Sequence, residues 1–266
     1  MARQAAGEIP SLLGARRPRP NTLCVLMYHA VTRDNLRDRE QQTVPLRRFS
    51  DQLEAVRNLG VRWVSLEEGL GALKKSGESS PMASLVFDDG YAGVHDLALE
   101  LLVRHRIPAT LFLATDQIGR PSFQDSPAPW GRPLAWAEVS RLVRETGCAV
   151  GSHGHHHRIL TPLPSEEIRK ELKASRAAIE DHLGQPCRLF AYPYGGRGTF
   201  DDRTRRILSE EGFSAACVNL WGRCGAGTDP LAIPRMRFSW CDTPREVAKS
   251  LAGSYDWYRF FQHFAL

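Results

Sequence analysis

The sequence predicts an α/β fold, a single-domain distorted (β/α)7-type barrel, on three observations. Short apolar runs alternate with segments of helical periodicity along the whole chain, the pattern of a parallel sheet with helical crossovers. About seven such units follow one another, which favours a barrel over an open sheet. The 266 residues bury one substantial core and come close to the size of an α/β barrel.

The elements follow in order. Residues 1–21 carry Arg3, Arg16, Arg17 and Arg19 among Pro10, Pro18 and Pro20 and read as a poorly ordered basic tail. Residues 23–29 (Leu-Cys-Val-Leu-Met-Tyr-His) form a central strand that delivers His29 to its carboxyl end. Residues 33–42 are charged and aperiodic, hence a loop. Pro45 opens a helix with Phe49, Leu53 and Val56 on one face, and Gly60 ends it. A short strand over 61–65 and a helix over 66–75 follow, then a Gly/Ser/Pro turn and the apolar strand 84–87. Leu97, Leu101 and Leu102 mark a helix that stops before Pro108, and 109–113 is the next strand. Residues 114–133 hold Trp130 and are too long for a plain connector, so a functional loop is expected. A helix over 136–145 is closed by Gly147 and leads into the strand 148–151. Ser165 is expected to cap a helix reaching Leu183, with Glu166 and Glu167 in its first turn and Gly184 after it. Strands over 188–191 and 214–218 flank a helix over 201–211. A final strand over 231–238 and a helix over 243–251 complete the domain, taken as residues 22–254. Residues 255–266 form an aromatic tail that could pack on the barrel, form a dimer contact or touch a membrane.

Composition sets bounds on function. No window approaches the ~18 apolar residues of a membrane span, so no integral membrane segment is expected. The best early apolar run, 23–27, is too short for a signal peptide. The chain as written reads as cytoplasmic, with a leaderless form of an exported protein as the alternative. A net charge of +5 is partly concentrated in the tail, whose secondary reading is peripheral contact with an anionic membrane surface. No arginine-rich helix or stacking motif argues for nucleic acid. The six cysteines show no C-x-x-C pair or zinc-ribbon spacing and read as buried hydrophobes or free thiols. The number of subunits is not specified.

Two stretches carry chemistry. The strand 84–87 ends in Asp88, Asp89 and Gly90. Two adjacent carboxylates at low dielectric repel, so one is neutralised by a proton or a cation while the other remains available as a base. We assign a metal to Asp89 and the base to Asp88, against the alternative of an Asp-Gly turn in solvent. Downstream, His153 and His157 stand four apart in Ser152-His-Gly-His-His-His157, the spacing that puts two imidazoles on one face of a helical turn. Two histidines and one carboxylate suffice for a catalytic divalent ion, most simply Zn2+, with Co2+ or Ni2+ as alternatives. Gly154 excludes the zinc-protease arrangement, which needs Glu directly after the first histidine.

In combination these motifs resemble the polysaccharide deacetylases of carbohydrate esterase family four, which share the NodB-type domain. Phe87-Asp-Asp-Gly90 is similar to the family's first motif, implying Asp88 as base and Asp89 as metal ligand. His153-Gly-His-His-His157 is similar to the second, with Gly154 in place of the usual Ser or Thr. Arg188-Leu-Phe-Ala-Tyr-Pro-Tyr-Gly195 is similar to the third, implying that Tyr194 offers its backbone N–H to an oxyanion and that Pro193 lines the substrate site. The resemblance spans roughly residues 22–240. Two departures stand out: Ala191 occupies the place of an arginine that orients the base, and the late Leu-x-His segment is missing. Both resemble the branch of poly-N-acetylglucosamine deacetylases in which an early Tyr-His pair supplies the acid, here Tyr28 and His29. Arg235 either replaces the lost arginine or serves in closing the barrel. Trp130 is the best of the tryptophans for stacking on a sugar ring, ahead of Trp221 and Trp240.

The resemblance implies a metal-dependent hydrolase that removes N-acetyl groups from an amino sugar in a glycan or glycan precursor. Alternatives are an O-acetyl esterase or a non-sugar amidase on the same fold, and a catalytically idle glycan-binding domain in which Ala191 marks decay of the site.

Overall fold

The structure, a computed structural model, describes residues 17–34, 38–75, 77, 79–124 and 130–257. Of the expected tails, 1–21 and 255–266, residues 1–16 and 258–266 lie outside the described residues.

Ten strands and seven α-helices are found among the described residues. The strands are β1 Leu23–Tyr28, β2 Ala30–Thr32, β3 Thr43–Pro45, β4 Arg62–Trp63, β5 Met82–Phe87, β6 Ala109–Leu113, β7 Ala149–Ser152, β8 Leu189–Ala191, β9 Ala215–Cys217 and β10 Met236–Arg237. The helices are α1 Leu46–Asn58, α2 Leu66–Leu73, α3 Leu99–His105, α4 Trp136–Thr146, α5 Ser165–Leu183, α6 Asp202–Glu210 and α7 Pro244–Leu251. The main sheet is parallel and runs β10-β1-β5-β6-β7-β8-β9, with β4 on β5. It curls into an incomplete barrel: Ile233 bridges β9 at Cys217, and three residues later Met236 pairs with Leu26 of β1.

β1 and β5 pair over their full length, from Leu23↔Met82 to Tyr28↔Phe87, and every residue of both is buried. A parallel strand covered on both faces reads as a continuous apolar run. Side chains alternate all the same. Leu23, Val25, Met27, Met82 and Val86 join Phe112, Leu189, Ala191, Ala215, Cys217 and Ile233, drawn from strands around the sheet, in one cluster inside the curl. Cys24, Leu26, Tyr28, Ala83, Leu85 and Phe87 face outward onto Phe49 and Val56 of α1 and Val247 and Leu251 of α7. A third cluster packs α5 and α6 on β8 and β9. The inside of the curl above that first cluster is therefore what the next residues of β1 and β5, His29 and Asp88, reach by alternation.

The expected elements recur with four differences. β2 and β3 form a small parallel pair that brackets the expected loop, too short to announce itself by periodicity. A π turn over Val94–Ala98 precedes α3. Its neighbour Gly93 is obligatory, since a Cβ there would stand 1.9 Å from the Val31 carbonyl oxygen. The N-cap of α5 is Pro164 and not Ser165, which is already helical, with Glu166 and Glu167 in the first turn as expected. The final strand shrinks to Met236–Arg237, because residues 233–235 bond to β9 and Leu220 on the other side of the gap. Among the described residues no helix is long and apolar enough to cross a membrane.

Candidate active site

Asp88 extends the β5 ladder, its N–H donating to Tyr28 O at 3.0 Å. Asp89 (φ 70°) and Gly90 (φ 83°) then turn left-handed, so the Asp-Gly turn is present, and it is buried rather than solvated. Asp88 is 2% exposed, and its Oδ1 accepts from Arg235 Nη1 at 2.7 Å. Arg235 is equally buried and donates through Nε to Val218 O at 3.0 Å. Burial alone would raise the Asp88 carboxyl, but the charges of Arg235, His153 and His29 and the Arg235 hydrogen bond hold it down at about 2. Asp88 is thus an ionised, half-satisfied carboxylate whose Oδ2 faces His153 Nε2 at 3.9 Å. Arg235 reaches Asp88 from the segment before β10, well after Ala191 in the chain.

Asp89 is the opposite case. Burial and the neighbouring Asp88 charge push its carboxyl well above the usual range. Its Oδ1 is buried without a hydrogen-bond partner among the described residues, yet lies 3.4 Å from His153 Nε2 and 3.3 Å from His157 Nε2. The Nδ1 of His153 donates to Ala191 O at 2.7 Å, which leaves the Nε2 lone pair aimed at Asp89. Burial lowers the pKa of both histidines, so both rings are neutral. An orphaned carboxylate oxygen between two neutral imidazole nitrogens is a donor set that a divalent cation satisfies and that protein groups here do not.

The spacing of four in His153 and His157 is not that of a helical turn. The segment is a loop in which Gly154 (φ 78°) and His157 (φ 56°) are left-handed. Tertiary contacts hold it: His153 N–H donates to Leu113 O at 2.8 Å, and the Gly154 and His155 carbonyls accept from Thr115 and Asp116 N–H at 3.2 and 3.0 Å. From beneath, Glu171 of α5 accepts at Oε2 from the N–H groups of His155 (3.2 Å) and His156 (2.9 Å) and at Oε1 from His156 Nδ1 (2.6 Å). Glu171 is 4% exposed. No motif marks Glu171 in the sequence, but its position carries a signal: it sits on the stripe of Ile168, Leu172, Ser175 and Ile179 that α5 buries, where an acid needs a partner.

His29 closes the buried side. Burial pushes its pKa down to about 3 despite the Asp88 charge, and its Nδ1 is buried without a partner among the described residues. On the open side Tyr194 is 53% exposed and left-handed (φ 62°), its ring 4.9 Å from that of His157, and its N–H has no acceptor among the described residues. Pro193 is buried beside Gly154. Phe123 packs edge-on to His157 at 5.4 Å, and Gln124 Nε2 lies 3.2 Å from its Nδ1.

Two expected contacts are not at the centre. Tyr28 points to the outer face, fully buried, its hydroxyl donating to Gln52 Oε1 and its ring edge-on to Phe49; strand alternation puts it opposite His29, and it has no surface for a substrate. Trp130 packs on Tyr91, which packs on Phe123, so it stands behind the aromatic wall of the site. Its other side lines a neighbouring groove of about 890 Å³ with Val31, Arg132 and Asp96.

A family model described as polysaccharide deacetylase matches residues 75–216. A curated relative, a putative polysaccharide deacetylase (YxkH) of Bacillus subtilis, is 21% identical over 222 residues, covering 83% of this chain and 73% of that one. The poly-beta-1,6-N-acetyl-D-glucosamine N-deacetylase of Staphylococcus aureus is 21% identical over 194 residues, covering 66% of this chain and 65% of that one. The chain spans 52% and 48% of two other curated relatives. Among solved structures, IcaB from Ammonifex degensii is similar with a TM-score of 0.74 and 25% identity, over 89% of this chain and 99% of that one.

Proposed function

The chain belongs to the polysaccharide deacetylase family, and from that premise we propose that it hydrolyses the acetamide of an N-acetylated amino sugar in a glycan or glycan precursor. The observation that carries the reading is the contrast between the two adjacent aspartates. Asp88 is kept ionised by Arg235, while Asp89 presents an unpartnered oxygen to two imidazole nitrogens. One carboxylate is prepared as a base and the other as a cation ligand. Similarity to a poly-beta-1,6-N-acetyl-D-glucosamine N-deacetylase supports the choice of an amino-sugar amide.

Asp89, His153 and His157 would hold one divalent ion, Zn2+ by its preference for this donor set. Such an ion supplies Lewis acidity, polarising an amide carbonyl and acidifying water. Asp88 takes the proton of the attacking water at Oδ2, since Oδ1 is committed to Arg235. Arg235 thereby fixes both the charge and the direction of the base, the role that Ala191 leaves open. The Tyr194 N–H, which has no acceptor among the described residues, is the donor for the developing oxyanion, a contribution of about 10²- to 10³-fold. His29, which burial keeps neutral at rest, serves as the acid: it takes up the proton that Asp88 gathers and delivers it to the departing amine.

The test is metal content of untagged protein together with release of acetate and free amine from N-acetylglucosamine oligomers, beside Asp89→Ala and His153→Ala. About one ion per high-affinity site, lost in both variants along with acetate release, is expected. Acetate release from O-acetylated sugars but not from the N-acetylglucosamine oligomers would make the substrate an ester instead, and protein that takes up no ion in the presence of zinc, cobalt or nickel would overturn the reading.

A further inference from the structure

His155 and His156 are left over by the Asp89 site. They sit on the outer side of the same loop, next to the short 3-10 turn Thr115–Gln117. One ring nitrogen of each lies within 4.8 Å of the other and of a carboxylate oxygen of Asp116. The hydrogen bonds of this trio follow the pattern of metal-ligating groups. His156 Nδ1 donates to Glu171 Oε1 at 2.6 Å, and His155 Nδ1 is bonded to Thr115 Oγ1 at 2.8 Å, so each ring is fixed through one nitrogen and keeps Nε2 to offer. Asp116 is anchored through Oδ2 to Arg120 Nη2 at 2.6 Å and Gln117 Nε2 at 3.3 Å, which leaves Oδ1. His156 is exposed and the other two are half-buried, which gives an ion a path from solvent and room for water ligands.

The comparable trio of His95, Asp96 and Glu138 lacks this pattern. There Arg132 binds both oxygens of Glu138 at 2.8 and 2.6 Å and lies 3.6 Å from Asp96 Oδ2, so both carboxylates already face a cation, and the single imidazole, bonded through Nδ1 to Asp96 Oδ1 at 2.9 Å, has only its Nε2 left to offer.

We propose that Asp116, His155 and His156 form a second, surface site for a borderline divalent ion such as Zn2+, Ni2+ or Cu2+, distinct from the Asp89 site and built on the other face of the same loop. Two imidazoles and one carboxylate with open positions suit these ions and not Mg2+ or Ca2+. Because the loop between His153 and His157 joins both sites, an ion here clamps the segment that carries the inner ligands to Thr115–Gln117 and, through Glu171, to α5.

The experiment is a Zn2+ titration of the full, untagged, chelator-stripped chain by calorimetry, in wild type, His156→Ala, Asp116→Asn and Asp89→Asn. Wild type is expected to take up two ions with separable affinities. His156→Ala and Asp116→Asn should keep the first and weaken the second by at least about tenfold. Asp89→Asn should do the reverse. A wild type that binds a single ion lost in Asp89→Asn, or a second ion bound equally well by His156→Ala and Asp116→Asn, would overturn the proposal. A single ion that survives Asp89→Asn and disappears in His156→Ala would support the outer site while removing the catalytic reading of the inner one.

Discussion

Replacing Arg235 by leucine tests the electrostatic logic of the site most directly. The side chain is 2% exposed, donates 2.7 Å to Asp88 Oδ1 and 3.0 Å to Val218 O, and has no solvent to compensate its loss. The variant leaves a buried carboxylate beside Asp89 with no counter-charge. Breaking such a pair from one side costs about 3–5 kcal/mol, a fall in Tm of roughly 6–20 °C for a chain of this size. Asp88 gives an independent figure: the gap between 3.8 and about 2 corresponds to about 2 kcal/mol of preferential stabilisation of the charged form. Since the folded pKa is depressed, that stabilisation is present above the unfolded value of 3.8 and is lost as pH falls through about 2. Wild type should therefore lose stability below about pH 4 in a way that Arg235→Leu does not. Urea unfolding of Arg235→Leu, Asp88→Asn and the double variant closes the cycle, with an expected coupling of about 2–3 kcal/mol and recovery of stability in the double variant. A single variant within about 1 kcal/mol of wild type, or additivity within about 0.5 kcal/mol, would refute the argument that Arg235 holds the base charged.

Other substitutions separate the remaining roles. Asp88→Asn should reduce acetate release by at least about 10²-fold while keeping metal content, read by elemental analysis; loss of the ion would mean that Asp88 is a ligand. Glu171→Ala removes the acceptor of three loop hydrogen bonds and should weaken binding of the inner ion by about 10- to 100-fold, with Glu171→Gln between it and wild type in the same titration. Gly93→Ala should be severely destabilising, about 3 kcal/mol or more, because its Cβ meets the Val31 carbonyl at 1.9 Å and backbone must move; a thermal melt within a degree or two of wild type would contradict it.

Much of the barrel is legible in the sequence because its strands are buried on both faces and bounded by Gly, Pro or charge. β1, β5 and β6 are continuous apolar runs, and Gly147 and Gly184 close α4 and α5 with left-handed φ of 68° and 64°. Elements of two or three residues, such as β2 and β10, have too few positions for any period to register. The histidine pair was legible for a reason the structure replaces: the spacing of four brings His153 and His157 together through two left-handed residues and the Glu171 anchor, not through helical geometry. Tyr28 illustrates a limit of motif reading. Adjacent to His29 in sequence, it belongs to the opposite face of β1, and only the packing of Phe49 and Gln52 against it makes that plain.

The sequence by itself determined which groups arrive at the carboxyl end of the sheet, because strand ends are set by local patterning: Asp88 and Asp89 after β5, His29 after β1, the histidine loop after β7. Tertiary structure decided what each of them is. Asp88 and Asp89 are chemically identical and adjacent, yet one is held charged by an arginine 147 positions away and the other is left without a partner between two imidazoles. Charge interactions at low dielectric depend on distances of a few ångströms and on burial, and neither quantity is carried by spacing along the chain.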